Sequence, residues 1–123
     1  MIISSCKKVP RSHEIIDTWD FHYVENTGVQ QWAPNTIDQI RVTFKRKAYS
    51  LDVPVNTAGG KSQIYKDGSI NIETLNSQLR LGDSTSSYWE DLFIAEFSLV
   101  TSYEINGDTL ALESPTSVLK FTK

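Results

Sequence analysis

The sequence predicts a mainly β (α+β) domain, namely a small antiparallel β-barrel of about eight strands with one helix inserted before the C-terminal strands. Two observations indicate this fold. Most of the 123-residue chain consists of short runs in which apolar and polar residues alternate, as in half-buried strands. Residues 87 to about 101 instead carry apolar side chains at spacings of three and four, which predicts one amphipathic helix. Closing the sheet into a barrel leaves few free edges.

The first predicted strands occupy residues 15–55. Alternation over 15–23 predicts a half-buried strand with His22 on its polar side, and a short extended piece is expected at 29–32 within the loop 25–35. Two antiparallel strands, 40–44 and 49–55, flank the basic turn Lys45-Arg46-Lys47. The apolar side of the first strand carries Ile15, Trp19, Phe21 and Tyr23.

Turn signals place the remaining strands. Residues 56–60 are predicted to be a glycine-bearing turn, and Asp67-Gly68 predicts a tight hairpin. Alternating Leu79 and Leu81 indicate a strand ahead of the helix. Asn106-Gly107-Asp108 predicts a second hairpin, because Asn-Gly readily adopts positive φ. The last strand follows, with Val118, Leu119 and Phe121.

The predicted helix runs from residue 87 to about 101. Ser87 and Glu90 fit a capping box, in which the Ser87 hydroxyl accepts a backbone N–H of the first turn and the Glu90 side chain accepts the backbone N–H of Ser87. The apolar stripe contains Trp89, Leu92, Phe93 and Val100, with Tyr88, Ala95 and Leu99 more to one side.

Glu96 is the one charged residue that projects into this apolar stripe, where an unpaired buried carboxylate would be costly. Three interpretations stay open. Glu96 reaches solvent at the rim of the stripe, pairs with a cation such as Arg41 or Arg80, or lines a pocket for a ligand.

Composition excludes several function classes. With 12 Lys and Arg against 15 Asp and Glu, the net charge is −3, so a nucleic-acid partner is not expected. The single cysteine excludes an internal disulfide. His13 and His22 lack metal-ligand spacing, and no nucleophile elbow is present. We therefore predict a protein that is not an enzyme, with no catalytic, cofactor-binding or metal-binding residue.

Two surface features are weak candidates for binding. Arg41 and the turn 45–47 form a basic cluster, which is usually a solvated strand and turn but could meet anionic lipid headgroups or an acidic partner. Trp32 is the best candidate for an exposed aromatic anchor, because large aromatic side chains are enriched at interface hot spots. Packing of Trp32 over the barrel mouth is the alternative.

The C-terminal half has a characteristic spacing of apolar and turn residues, namely Glu90, Phe93, Phe97, Val100, Tyr103, Ile105, Gly107-Asp108, Leu110 and Leu112, ending in Leu119-Lys120-Phe121. This spacing resembles that of the META domain found in the bacterial heat-shock lipoprotein HslJ and its relatives. Upstream, Trp19, the strand 40–44 and the glycine-rich 55–60 also match. The resemblance implies a small envelope β-domain, often lipid-anchored, with no established enzymatic activity or cofactor. Lipocalin-like lipoproteins are the nearest rival family.

The N-terminal residues 1–8 are interpreted as a signal remnant and lipoprotein tether, followed by the barrel domain at 9–123. Ile3-Ser4-Ser5-Cys6 looks like a bacterial lipobox, with Cys6 as the lipid-attachment site. Met1-Ile2 is too short for an export signal, so upstream coding sequence should add a basic start and an apolar run. An ordinary tail with a chance cysteine is the alternative. The lipobox predicts a membrane anchor on the periplasmic side of the bacterial envelope.

Two functional hypotheses follow. The first is a non-enzymatic envelope accessory or interaction module with an unknown envelope protein partner. The second is a lipocalin-like carrier that binds a small apolar ligand inside the barrel. Bulky inward residues favour the first, since they would fill a small barrel. These residues are Trp19, Phe21, Phe44, Tyr49, Ile70 and Phe121.

Overall fold

The computed structural model describes residues 12–73, 76–77 and 83–123. These ranges contain ten strands, one α-helix and one 3-10 turn, η1 (Ser12–Ile15). The other elements are β1 (Thr18–Asn26), β2 (Val29–Trp32), β3 (Arg41–Phe44), β4 (Ala48–Asp52), β5 (Thr57–Ile64), β6 (Ile70–Ile72), β7 (Asn76–Ser77), α1 (Ser84–Phe97), β8 (Ser102–Asn106), β9 (Thr109–Glu113) and β10 (Ser117–Thr122). The strand predicted at Leu79 and Leu81, and the residues Cys6 and Arg80, lie outside the described residues.

Eight of the described strands form a nearly closed antiparallel barrel, which confirms the predicted fold class. Their order is β6-β5-β4-β3-β1-β10-β9-β8, while β2 pairs with β1 and β7 with β5. The two ends of this order meet where Ser69 bridges Ser102. There the Ile70 N–H donates to the Thr101 carbonyl at 3.0 Å, and the Tyr103 N–H donates to the Gly68 carbonyl at 2.8 Å.

The helix packs its aromatic face into the barrel interior. The Phe93 ring lies 5.0 Å from Phe21 and 5.6 Å from Phe97, centroid to centroid, and Phe97 lies 5.0 Å from Tyr49. All six bulky residues predicted to face inward are buried. The predicted stripe is correct for Trp89, Phe93 and Val100, whereas Leu92 is half-buried and Phe97 takes the central place.

The start of the helix differs from the prediction. Asp83 is the N-cap, and its carboxylate accepts the Ser86 N–H and the Ser86 hydroxyl, both at 2.9 Å. These two hydrogen bonds, the backbone one first, lower the pKa of Asp83. The predicted capping box at Ser87 and Glu90 is therefore wrong, and the helix begins about one turn earlier. It ends at Phe97, earlier than the predicted residue 101.

The true cap gives a testable expectation. Asp83→Ala should lower the free energy of unfolding, because the Ser86 N–H and the Ser86 hydroxyl lose their acceptor. Ser87→Ala should change it by less than about 0.5 kcal/mol, as is usual for surface substitutions. Urea denaturation of both variants measures the difference, and a larger loss for Ser87→Ala would place the cap there instead.

Three predicted turns are correct and one is wrong. Phe44 pairs with Tyr49 around the basic turn 45–47. Ile64 pairs with Ile70 around Asp67-Gly68, and Asn106 pairs with Thr109 around Gly107-Asp108. The predicted turn at 56–60 is wrong, because both of its glycines lie within β5. A Cβ on Gly59 would come 2.9 Å from the Tyr49 carbonyl oxygen. Glycine is needed there for close approach between strands, not for a turn.

Tyr49 makes the free energy of unfolding depend on pH in the alkaline range. Its ring is buried and its hydroxyl donates to the Glu73 carbonyl at 3.0 Å. Burial raises the pKa of Tyr49 from 10.0 to about 12. The folded state thus retains a proton that the unfolded state loses, so this stability is complete below pH 10 and is lost as the pH rises towards 12.

We expect the free energy of unfolding to decline over that pH range, and Tyr49→Phe to make the decline shallower. Part of the decline should persist in the variant, because burial also raises the pKa of Tyr103. Denaturant titrations at several alkaline pH values measure the slope. An identical slope in Tyr49→Phe would contradict the assignment to this phenol.

Candidate functional site

Trp32 is exposed on a rigid hairpin at the outer face of the barrel. Its hairpin joins β1 to β2 through Thr27 and Gly28, both with positive φ (51° and 81°), as in a type I′ turn. Tyr23 lies directly opposite Trp32 across the strand pair, and their ring centroids are 4.5 Å apart. Trp32 remains 58% exposed. The backbone and the Tyr23 ring therefore fix the position of a large solvent-facing aromatic side chain.

A β-bulge brings His22 and Tyr23 to the same site. Phe21 pairs with Phe121 of β10, but Tyr23 pairs with Lys120, so the register shifts at His22. Both Phe21 and Val24 are buried, which leaves the two residues between them on the outer side. The predicted alternation places Tyr23 on the apolar side with Phe21, and the bulge overturns this. Two adjacent apolar residues, Tyr23-Val24, are the sequence signal of a broken alternation.

Two shallow clefts flank Trp32. The first, about 350 Å³, is lined by His22, Tyr23, Trp32, Thr109, Lys120, Phe121 and Thr122. The second, about 340 Å³, is formed largely by the loop 33–40 together with Phe21, His22 and Trp32. A cation, Lys120, lies in the first cleft and a carboxylate, Asp38, in the second. We call Tyr23, Trp32, His22, Lys120 and Thr122 the aromatic patch.

The polar groups of the aromatic patch are partly ordered. His22 Nε2 lies 2.6 Å from the Thr122 hydroxyl, which fixes the ring within the bulge. Lys120 forms no salt bridge with any described residue. On the far side of the hairpin, the Gln31 amide donates to the Tyr88 hydroxyl of the helix at 2.7 Å. The patch thus combines two rings in contact, tilted by 42° to each other, with a cation that has no salt-bridge partner among the described residues.

Glu96 and Arg41, which the sequence suggests as a possible ion pair, have different partners in the structure. Glu96 is partly exposed and accepts a hydrogen bond from the Ser117 hydroxyl at 2.8 Å. Arg41 pairs instead with Asp20 at 2.8 Å on the outer surface. Among the interpretations of Glu96, the rim position fits this geometry, and the ion pair with Arg41 is wrong. Neither residue lines the clefts at Trp32.

The carboxylate that enters the protein interior is Glu90, which the sequence pattern assigns to capping. It is 5% exposed. Glu90 Oε1 accepts the Val55 N–H at 2.8 Å and the Asn56 N–H at 3.0 Å, and Oε2 accepts the Asn56 side-chain amide. These contacts fasten the loop between β4 and β5 to the helix. Their role is structural, because all of the donors belong to the protein itself.

Two further kinds of feature, a metal-binding cluster and a membrane-spanning helix, are not found among the described residues. They contain no group of three or more His, Cys, Asp or Glu side chains arranged to hold a metal. The helix of the described chain also lacks the length and apolar character needed to cross a bilayer.

Comparison with known proteins places the molecule among small antiparallel barrels with one packed helix. No family model matches the chain. No curated protein matches it either. A crystal structure of a DUF4847 family protein from Bacteroides vulgatus is similar, with a TM-score of 0.63 and 15% identity over 88% of this chain and 92% of that one.

An NMR structure of a protein from Burkholderia xenovorans is also similar, with a TM-score of 0.70 and 12% identity over 99% of this chain and 97% of that one. At these identities the likeness is one of fold. The resemblance to the META domain stays a prediction.

Proposed function

We propose that the protein is a non-enzymatic interaction module of the bacterial envelope, and that it binds a protein partner through the aromatic patch. The observation that carries this proposal is the exposed Trp32 held against the ring of Tyr23, with the two planes tilted by 42°. Tryptophan and tyrosine dominate the energetics of protein interfaces, and a side chain held in place before binding loses less entropy on association.

The packing of the barrel supports a surface role over internal carriage. The side chains of Phe21, Phe93 and Phe121 contact one another across the interior, with ring centroids 5.0 to 6.1 Å apart. A carrier of apolar ligands needs open volume at this place. A fluorescent fatty acid that binds saturably and is displaced by unlabelled lipid would overturn the interaction proposal in favour of a carrier.

A photo-crosslinking amino acid at Gln30 tests the partner directly. Gln30 is exposed on β2, two residues before Trp32, and therefore lies on the same face of the strand as Trp32. In the native organism, we expect one discrete crosslinked product that disappears when Trp32→Ala is added. Leu99→Ala is the matched control, because Leu99 is 52% exposed but lines neither cleft. A product that survives Trp32→Ala, or is lost equally with Leu99→Ala, would refute the assignment to the patch.

Attachment to the envelope is proposed through Cys6. The support is the lipobox-like Ile3-Ser4-Ser5-Cys6. When the gene is expressed with its upstream coding sequence, metabolic labelling with an alkyne fatty acid should label the protein. Cys6→Ser should abolish the label. Labelling that persists in Cys6→Ser would refute lipidation at this residue without bearing on the patch.

A further inference from the structure

One end of the barrel carries a concentration of positive charge. Lys45, Arg46 and Lys47 form the exposed turn between β3 and β4. The pairing of Ala48 with Lys61 of β5 brings a fourth cation beside this turn. A cleft of about 490 Å³ lies here and is lined by Arg46, Lys47, Lys61, Ser62, Gln63, Ile64, Tyr65 and Glu73. Three cations thus face one carboxylate in the cleft.

These cations are available to an external anion. The salt bridges in the described part of the chain are Arg41 with Asp20 and Lys123 with Asp17, and they involve none of the four. The cluster is therefore a local excess of positive charge on a protein whose net charge is −3. Such an excess attracts phosphate-bearing surfaces at short range.

One further side chain of the cleft fits a lipid surface. Tyr65 is 47% exposed, and amphipathic aromatic rings favour the headgroup region of a bilayer. Ser62 also lines the cleft, but its hydroxyl is buried and offers no contact to a headgroup.

The chain enters the fold at this same end. The Asp17 carbonyl, just before β1, accepts the Phe44 N–H at 3.0 Å, and Phe44 directly precedes the basic turn. Only six peptide bonds separate Cys6 from Ser12, which limits their Cα separation to about 20 Å. A chain tethered at Cys6 therefore holds this end of the barrel near the bilayer.

We propose that the basic end, formed by Lys45, Arg46, Lys47, Lys61 and Tyr65, rests on anionic phospholipid headgroups of the membrane. The orientation rests on the proposed tether, whereas the lipid affinity does not. The aromatic patch on the barrel wall then stays free for a protein partner.

Vesicle partitioning of the unacylated full chain tests the lipid affinity independently of Cys6. At low salt, we expect binding to phosphatidylcholine vesicles that contain phosphatidylglycerol, and little binding to pure phosphatidylcholine. Arg46→Gln should weaken the partition coefficient about 5-fold, and neutralising 45–47 together on the order of 100-fold. Raising the salt to about 1 M, where the Debye length is near 3 Å, should abolish binding.

Arg41→Gln is the matched control. It also neutralises one exposed arginine, but outside the cleft, and it should leave partitioning unchanged. Circular dichroism confirms that each variant is folded. Equal binding to both vesicle types, or equal losses in Arg41→Gln and Arg46→Gln, would overturn the proposal.

Amide NMR spectra with phosphatidylglycerol nanodiscs locate the contact. Shifts should be confined to the turn 45–47 and to residues 61–65. Shifts centred on Trp32 would overturn the proposal, as would equal saturable shifts produced by glycerol phosphate without a bilayer, since these would indicate a soluble phosphate ligand. The crosslinking and acylation experiments remain separate, so failure here leaves the interaction module standing.

Discussion

Replacing Phe93 by alanine is expected to lower the free energy of unfolding by about 3 to 5 kcal/mol, the usual cost of removing a buried aromatic ring. Phe93 is 1% exposed and packs against Phe21, Phe97 and Phe121. Its loss leaves a cavity between the helix and the barrel wall, which neighbouring rings can fill only partly. Urea denaturation monitored by circular dichroism measures the change.

Leu92→Ala is the matched control for Phe93→Ala. Leu92 is the preceding helical residue but is only half-buried, so its truncation should cost clearly less. Equal stability of the Phe93→Ala protein and the parent would mean that the helix does not pack its aromatic face into the barrel interior.

Replacing Glu90 by alanine should cost a comparable amount, about 3 to 6 kcal/mol, when measured by the same urea denaturation. The substitution leaves the N–H groups of Val55 and Asn56, and the Asn56 side-chain amide, without an acceptor in a buried place. Glu90→Gln should cost less, because its amide oxygen still accepts a hydrogen bond. Some cost should remain, since the Asn56 amide can accept the new NH₂ group only by turning over, which moves its own NH₂ to the buried place where Oδ1 has no partner among the described residues.

Glu96→Gln supplies the control for Glu90→Gln. Glu96 lies on the same helix but is partly exposed and accepts one hydroxyl, which an amide oxygen can also do. Its stability should stay within about 0.5 kcal/mol of the parent. If the two glutamine variants lose the same stability, Glu90 does not hold the loop between β4 and β5.

Local patterns are sufficient to predict much of the fold. Alternation over 40–44, and the turn residues Gly68 and Gly107, identify β3 and two hairpins, because side-chain direction and turn conformation are set by near neighbours. The helix start is harder to predict. Asp83 and Ser87 are both good capping residues. A cap at Ser87 would need the Glu90 side chain for the capping box, but Glu90 instead binds Val55 and Asn56 in the interior.

The candidate site can be predicted only in part. Residue type and loop position identify Trp32, but the contact of its ring with Tyr23 depends on the bulge at His22. A bulge is set by the pairing of β1 with β10, whose residues are distant in sequence, so local periodicity does not specify it. The hydrogen-bond donors to Glu90 and the closeness of Gly59 to Tyr49 have the same long-range origin.

The barrel seam between β6 and β8 determines how the molecule opens. Among the described residues, one β-bridge, made by two backbone hydrogen bonds, and the hydrogen bond from the Tyr103 hydroxyl to the Tyr65 carbonyl join the two sides of this seam, whereas β1 and β10 share six register pairs. Transient separation should therefore start at the seam, and amide protons near 68–72 and 102–106 should exchange with solvent ahead of those at the β1–β10 pair. The opened form would expose the edges of two strands. The unpaired backbone N–H and C=O groups of such edges are those through which copies of a barrel exchange strands or aggregate.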